Sequence, residues 1–332
     1  MYQIKLLNNI SDLIYKNLTP DLFQITENID TAHGILVRSA NMHDIDLPPT
    51  LLAIARAGAG VNNIPLDKCT EKGIVVFNTP GANANAVKEL VLAALLLSSR
   101  KIYEGIEWTK SLKGKGDDIP KLIEKGKANF TGPEIAGKKL GVIGLGAIGA
   151  LVANGASAIG MEVSGYDPYI SVKAAWSLSR AVHRADSLDS LLAESDYITI
   201  HIPLLPNTEN FINKETLAKM KKGVRLLNFS RGELVNTADL LKALEDGTVS
   251  RYVTDFPNED LLSAENVIPI PHLGASTPES EDNCADMASH QLRYYIETGN
   301  IVNSVNFPHC EMPKSEHKRF TLAHRNIPNM VG

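Results

Sequence analysis

Cysteine is scarce: Cys69, Cys284 and Cys310 are widely separated among 332 residues, with no CxxC pair and no Cys/His ligand spacing. This excludes a disulfide framework and a thiolate metal centre, and it suits a chain kept in a reducing cytosol, its cysteines serving as small core residues. Positive charge is not in excess either. A formal charge of −5 gives no general attraction to nucleic acid or to an anionic membrane, so an anionic substrate must be met by local cations. No stretch reaches the ~18 uncharged apolar residues that a membrane span needs, and the start, MYQIKLLNN, lacks the apolar core of a signal peptide. The expected setting is the cytoplasm, without nucleic acid, membrane or metal.

What is present is a long alternation of apolar runs and helical patterns. At 332 residues the chain exceeds one compact domain. YQIKLL, GILVRS (34–39), LLAIAR (51–56) and GIVVFN (73–78) are apolar runs without alternation, as in strands covered on both faces. The spacing of Val87, Leu90, Val91, Ala94 and Leu95 predicts a core helix over 84–100. The segment 108–134 is polar and lysine-rich and reads as a solvated face. Strand-helix pairs follow: YITIHI, a helix over 213–222, VRLLNF, a helix over 237–246, SRYVTD and NVIPIP. Ser276, Thr277, Pro278 and Glu279 make a helix start with a cap, a first-turn proline and a first-turn acid, for a helix that should run to about Thr298 and stop at Gly299. That helix could return the chain to its N-terminal part. The reading is α/β with two doubly wound, parallel-sheet lobes of Rossmann or flavodoxin type and a cleft between them. One lobe takes 1–98 with 278–307, the other 99–277, and 308–332 forms an extension.

The run KKLGVIGLGAIG at 138–149 is the most informative motif. An apolar strand enters Gly144, Gly146 and Gly149, and a helical Ala/Ile/Leu segment follows. The first glycine permits the tight turn, the second lets backbone approach a pyrophosphate, and the third allows close helix packing, with the phosphates at the helix N-terminus. Asp167 closes the next strand, EVSGYD, where a carboxylate can accept hydrogen bonds from both ribose hydroxyls and would repel a 2′-phosphate. NAD is the expected cofactor.

Chemistry is expected where strands end. Arg231 follows VRLLNF, and His272 follows NVIPIP. Oxidation of a 2-hydroxy acid needs a base for the hydroxyl proton and a cation for the carboxylate, and histidine and arginine supply both. Glu259, with Asp260 as its alternative, is a candidate partner for the imidazole, because a nearby carboxylate stabilises the protonated ring.

In order along the chain, VRSA, ARAGAGVNNI, NTPGANANAVKELVLA, LGVIGLGAIG, YDP, HIPLLPNT, NFSRGELVN and PHLGAST resemble the D-2-hydroxyacid dehydrogenases. The resemblance implies that Arg231, Glu259 and His272 are catalytic, with the histidine as proton acceptor. It places the substrate carboxylate on the backbone of Gly58, Ala59, Gly60 and Val61, with Ser39 and Asn83 on the substrate side. It assigns Ala147, Ile148, Asp167, Ile202, Pro203, Phe229, Ser230, Arg231, Asp255, His272, Gly274 and Ala275 to NAD contact, beside the three loop glycines. DFPNED is one residue shorter than the family's usual pattern before its catalytic acid, and Glu259 is the better match across the gap. KRFTLAHRNIPNMVG at 318–332 resembles the opening of an amino-acid-sensing ACT module, which implies that a truncated module would lack feedback control.

The activity implied is NAD-dependent oxidation of 3-phospho-D-glycerate to 3-phosphohydroxypyruvate, the entry to serine synthesis, in a homodimer or larger homo-oligomer. Arg38 and Arg56 end strands in VRSA and ARAGAG and are candidates for the phosphate, unless they pair with acids such as Asp44 or Asp46. The alternatives are reduction of an unphosphorylated 2-keto acid such as hydroxypyruvate or glyoxylate, and an NAD-sensing interaction protein on the same fold, like the dehydrogenase-related corepressors.

Overall fold

The structure, a computed structural model, describes residues 1–313 and 322. The segment resembling an ACT module therefore lies outside the described residues, Leu322 apart. Two compact units partition the described residues: Met1–Asn83 together with those from Thr277 onward, and Ala84–Ser276. The sequence reading placed helix Ala84–Ser99 in the first lobe, whereas it groups with the second unit. The physical reason is its buried face, where Val87, Val91, Ala94 and Leu95 share one cluster with Leu140, Val152, Ala153 and Ala156.

In the first unit, β1 (Tyr2–Leu7), β2 (Phe23–Thr26), β3 (Gly34–Val37), β4 (Ala53–Arg56) and β5 (Val75–Phe77) form a sheet in the order β2-β1-β3-β4-β5. All its pairings are parallel. This is the flavodoxin-type order. Alternate residues feed opposite faces: Ile35, Val37, Ile54 and Val76 enter one cluster, while Leu36, Ala53, Ala55 and Phe77 enter the other. Helix Pro278–Thr298 seals that second face with Ala285, Ala288 and Leu292. It starts at Thr277, whose Oγ1 accepts from the Ser280 amide at 3.1 Å, and ends at Gly299 with φ +71°.

The second unit contains β6 (Lys139–Ile143), β7 (Glu162–Tyr166), β8 (Val182–Arg184), β9 (Tyr197–Ile200), β10 (Val224–Asn228), β11 (Val249–Thr254) and β12 (Val267–Pro269). Their order, β12-β11-β10-β9-β6-β7-β8, again all parallel, is the doubly wound dinucleotide-binding order extended by one strand. The direction of winding reverses between β6 and β9, the switch point where such sheets take ligands. All four residues of β9 are buried, as a strand covered by helices on both faces requires. Each buried Ile or Leu contributes about 1.5–3 kcal/mol relative to exposure. The lysine-rich segment is more ordered than its composition suggests, with helices Ile102–Ser111 and Ile119–Gly126 and a Trp108–Phe130 ring contact at 5.2 Å. Cys69 and Cys284 are buried core residues, but Cys310 is exposed. No described helix is long and apolar enough to cross a membrane.

His201 follows β9 directly. Its amide donates to the Ile143 carbonyl at 2.7 Å, its Nε2 lies 2.9 Å from Thr199 Oγ1, and its Nδ1 is buried without a partner among the described residues. Burial pushes the imidazole down to about 4 from an ordinary value of 6.5. Between these values the unfolded chain binds the proton and the folded chain does not, so stability falls as pH drops through that window. The full loss is at most about 3 kcal/mol. His201→Gln should therefore flatten the difference in urea midpoint between about pH 7 and about pH 5; an unchanged difference would remove His201 as its source.

Candidate active site

The glycine loop leaves β6 at the switch point. Gly144 has φ +89°, and a Cβ there would lie 2.7 Å from the His201 carbonyl oxygen. At Gly149 a Cβ would come within 1.9 Å of the Gly144 carbonyl oxygen, so only glycine lets the helix approach the turn. Gly146 differs: nothing lies within 4 Å of the place a Cβ would take. It caps helix Ala147–Ala158, whose first-turn amides, those of Ala147 and Ile148 among them, have no intrahelical acceptor. Open space over free N–H groups at a helix N-terminus is what a pyrophosphate requires.

Asp167 follows β7. Its Oδ2 accepts from the Leu145 amide at 2.8 Å and its Oδ1 from the Tyr169 amide at 2.9 Å, which fixes the carboxylate beside the loop with lone pairs to spare for a ribose diol. Ile202 packs against Gly144 and is followed by exposed Pro203. Phe229 is buried at the end of β10, and Ser230 Oγ donates to the Ile200 carbonyl at 2.8 Å, tying that strand end to β9. Gly274 is buried against Val87 and Asp255, with half-buried Ala275 beside it. These residues fit a dinucleotide along one edge of the sheet.

The candidate catalytic groups lie at the same edge. Arg231 donates through Nη1 to the Ser230 carbonyl at 2.6 Å, and its guanidinium carbon sits 5.8 Å from the centre of the Phe256 ring. The Phe256 ring is also 4.6 Å from His272. One aromatic side chain thus joins the arginine to the histidine. The His272 side chain is 60% exposed, and its Nδ1 lies 2.9 Å from Oδ2 of Asp255, whose side chain is 1% exposed. The sequence reading gave Asp255 to NAD and paired the histidine with Glu259. The structure instead sets Asp255 against the imidazole, while Glu259 and Asp260 are exposed in the first turn of the short helix Glu259–Leu262. Among the described contacts neither acid reaches His272.

In the first unit, Asn8 was not singled out from sequence, yet it organises the predicted substrate turn. Its Oδ1 accepts from the amides of Arg38, Ser39 and Ala40 at 3.3, 2.9 and 2.7 Å, and its backbone is left-handed at φ +80°. A left-handed asparagine after a strand is the signal that could have revealed it. Arg38 Nη2 lies 2.6 Å from Glu281 Oε1, so its partner is neither Asp44 nor Asp46. Arg56 Nε donates to the Arg38 carbonyl at 3.0 Å, and its guanidinium lies over Gly58, where a Cβ would come within 2.6 Å of Nη1. Gly58 is held by Thr79 Oγ1 at 2.8 Å, and the amides of Ala59, Gly60 and Val61 donate to no described group. Half-buried Asn83 ends this stretch of the unit. Free amides beside a guanidinium can receive an anion.

The strand order, glycine loop and strand-end Arg/His set define a dinucleotide-dependent dehydrogenase. A profile of the D-isomer specific 2-hydroxyacid dehydrogenase NAD binding domain matches residues 92–274. The chain is 35% identical to the D-3-phosphoglycerate dehydrogenase of Methanocaldococcus jannaschii, over 99% of this chain and 62% of that one. It is 36% identical to the enzyme of that name from Rattus norvegicus, over 85% of this chain and 52% of the relative. The chain thus spans little more than half the length of these relatives. A glyoxylate reductase from Paecilomyes thermophila superposes with a TM-score of 0.75 at 25% identity, over 92% of this chain and 98% of that one. An NAD+-bound 3-phosphoglycerate dehydrogenase of Entamoeba histolytica shares the fold, with a TM-score of 0.70 at 24% identity over 92% of this chain and 99% of that one. The chain belongs to the D-isomer-specific 2-hydroxyacid dehydrogenase family, and its cofactor is NAD.

The fixed Asp167 carboxylate predicts the cofactor preference. NADH should be used well ahead of NADPH, and Asp167→Ala should narrow the ratio of the two kcat/KM values by removing repulsion of the 2′-phosphate. Equal use of both cofactors by the unmodified protein would sink this assignment.

Proposed function

We propose that this chain interconverts 3-phospho-D-glycerate and 3-phosphohydroxypyruvate with NAD, the first step toward serine. The observation that carries this reading is the Arg56 guanidinium beside the open amides of Ala59, Gly60 and Val61, taken with the names of the relatives that share about a third of its residues. A phosphorylated hydroxy acid carries about three negative charges. Arg231 serves the carboxylate and C2 oxygen, and Arg56 and Arg38 serve the phosphate through planar, charge-assisted hydrogen bonds. Bound NAD supplies the hydride acceptor. His272 takes the C2 hydroxyl proton in oxidation and returns it to the carbonyl oxygen in reduction. Its exposed side chain leaves Nε2 open to a substrate while Nδ1 faces Asp255.

A second reading, reduction of an unphosphorylated 2-keto acid such as glyoxylate or hydroxypyruvate, has its own support. The glyoxylate reductase fold matches over nearly the whole chain, and Arg38 is engaged by Glu281, which a phosphate would have to displace. We also place the protein in the cytoplasm as a homodimer or larger homo-oligomer. Exposed Leu96, Ile102, Tyr103 and Ile106 in consecutive helices of the second unit support self-association.

His272→Ala should lower turnover by about 100-fold or more, because a positioned proton carrier contributes that much. Arg56→Ala and Arg38→Ala should each raise KM for phosphohydroxypyruvate by about 10-fold or more, as for a lost charged hydrogen bond. NADH oxidation with phosphohydroxypyruvate, hydroxypyruvate and glyoxylate checks this. Equal losses on all three substrates would withdraw the phosphate assignment.

A further inference from the structure

We propose that the far end of the second unit's sheet carries a separate anion site, a small cavity that takes a phosphate dianion, free or as the terminal group of a small ester. β10, β9 and β6 are neighbours and run parallel, so the residues that open them gather at the end opposite the glycine loop. Lys138 precedes β6, Asp196 precedes β9, and Lys221 and Lys222 come just before β10, whose second residue is Arg225. With Tyr197 they line a cavity of about 110 Å³. That is well above the ~30 Å³ of a single water and well below the ~300 Å³ of a pocket for a whole small molecule. One tetrahedral oxyanion is the occupant that fits.

Four cations and one carboxylate give the cavity an excess of three positive charges, in a chain of formal charge −5. The carboxylate is already used. Asp196 Oδ1 lies 2.5 Å from Lys221 Nζ, and Oδ2 accepts from the Lys139 amide at 3.0 Å. Burial alone would raise this carboxyl, but Lys221, the Lys139 amide and the charge of Lys138 hold it below its ordinary value, so it stays ionised and is matched by Lys221. Lys138 and Lys222 form no ion pair among the described residues, and Asp246, the acid whose carboxyl responds to Lys222, accepts instead from the Thr248 amide at 2.8 Å. Arg225 separates this arrangement from a patch of surface lysines. It is half-buried, its Nε donates to the Ser98 carbonyl at 2.9 Å, and its guanidinium carbon sits 5.2 Å from the centre of the Tyr197 ring. Tyr197 is itself buried, its hydroxyl 2.8 Å from Ser99 Oγ. The guanidinium is therefore oriented before any ligand arrives, and its two Nη groups have no described partner. A planar fork fixed in this way can bind two oxygens of one phosphate with little rotamer freedom left to lose. Lys138 and Lys222 supply point charges for the remaining oxygens.

Nitrogen-15 spectra of the full chain with saturating NADH test the site, the cofactor covering the loop amides that also attract phosphate. The readout is the Arg225 Nε–H signal and not a thermal midpoint, because phosphate stabilises folded proteins in general. Inorganic phosphate should shift that signal along a saturating curve, and sodium chloride at equal ionic strength should leave it in place. Lys138→Gln combined with Lys222→Gln, two exposed exchanges, should weaken phosphate affinity by about 10-fold or more, as for lost charged hydrogen bonds, while turnover of a 2-keto acid stays within about twofold. Methyl phosphate distinguishes the sources: saturation by both probes identifies the phosphoryl group as the ligand, and saturation by inorganic phosphate alone identifies the free ion. The proposal is overturned if chloride reproduces the shift, if the folded double variant binds phosphate as tightly as the unmodified chain, or if phosphate never moves the Arg225 signal. A chain that reduces no 2-keto acid would refute the proposed function and leave this titration intact.

Discussion

The approach of Gly149 to the carbonyl of Gly144 is the constraint on which the nucleotide edge depends. A single methyl group at Gly149 would stand 1.9 Å from that oxygen. Because the methyl is missing, helix Ala147–Ala158 begins immediately above the β6 turn and directs its free amides outward. The same turn seats His201 and Ile202 against Gly144 and holds Asp167 through the Leu145 amide. Backbone packing at one point thus places the helix terminus and the carboxylate together.

The edge that carries the candidate catalytic residues follows from parallel strand direction. β10, β11 and β12 run the same way, so the residues that follow them emerge along one side of the sheet. Arg231, Asp255 and His272 are far apart in sequence, yet each leaves one of these strands. Phe256 then ties the guanidinium to the imidazole. In the first unit, Asn8 Oδ1 gathers three amides and presents the Arg38 turn next to Arg56.

Sequence periodicity reveals strands that are long and apolar, and β1, β3, β4, β6, β9, β10 and β11 were legible for that reason. β2 (FQIT) and β8 (VHR) were not, because short sheet-edge strands with polar residues carry little hydrophobic signal. The helix ending at Gly299 was legible from its cap, proline and glycine, which act locally. Helix Ala84–Ser99 was visible, but its allegiance was not, since an apolar stripe does not say which sheet it covers. The site shows the same division. The glycines and Asp167 have fixed spacing within one strand-turn-helix-strand unit and could be named. The Asp255–His272 and Arg38–Glu281 pairs join residues from separate elements, the second across 243 positions, and tertiary structure alone brings them together. Family spacing points to Glu259, while the contact described at His272 is with Asp255.

The central claim, that the loop at 144–149 is kept open for the dinucleotide phosphates, is tested most directly at Gly146. Its backbone, φ −70° and ψ −161°, suits any L-residue, and a Cβ would meet nothing within 4 Å. A Gly146→Val variant should therefore keep the unmodified protein's thermal midpoint within a few degrees while calorimetric titration shows NADH affinity reduced by about 10-fold or more. Undiminished NADH binding by that folded variant would contradict the account.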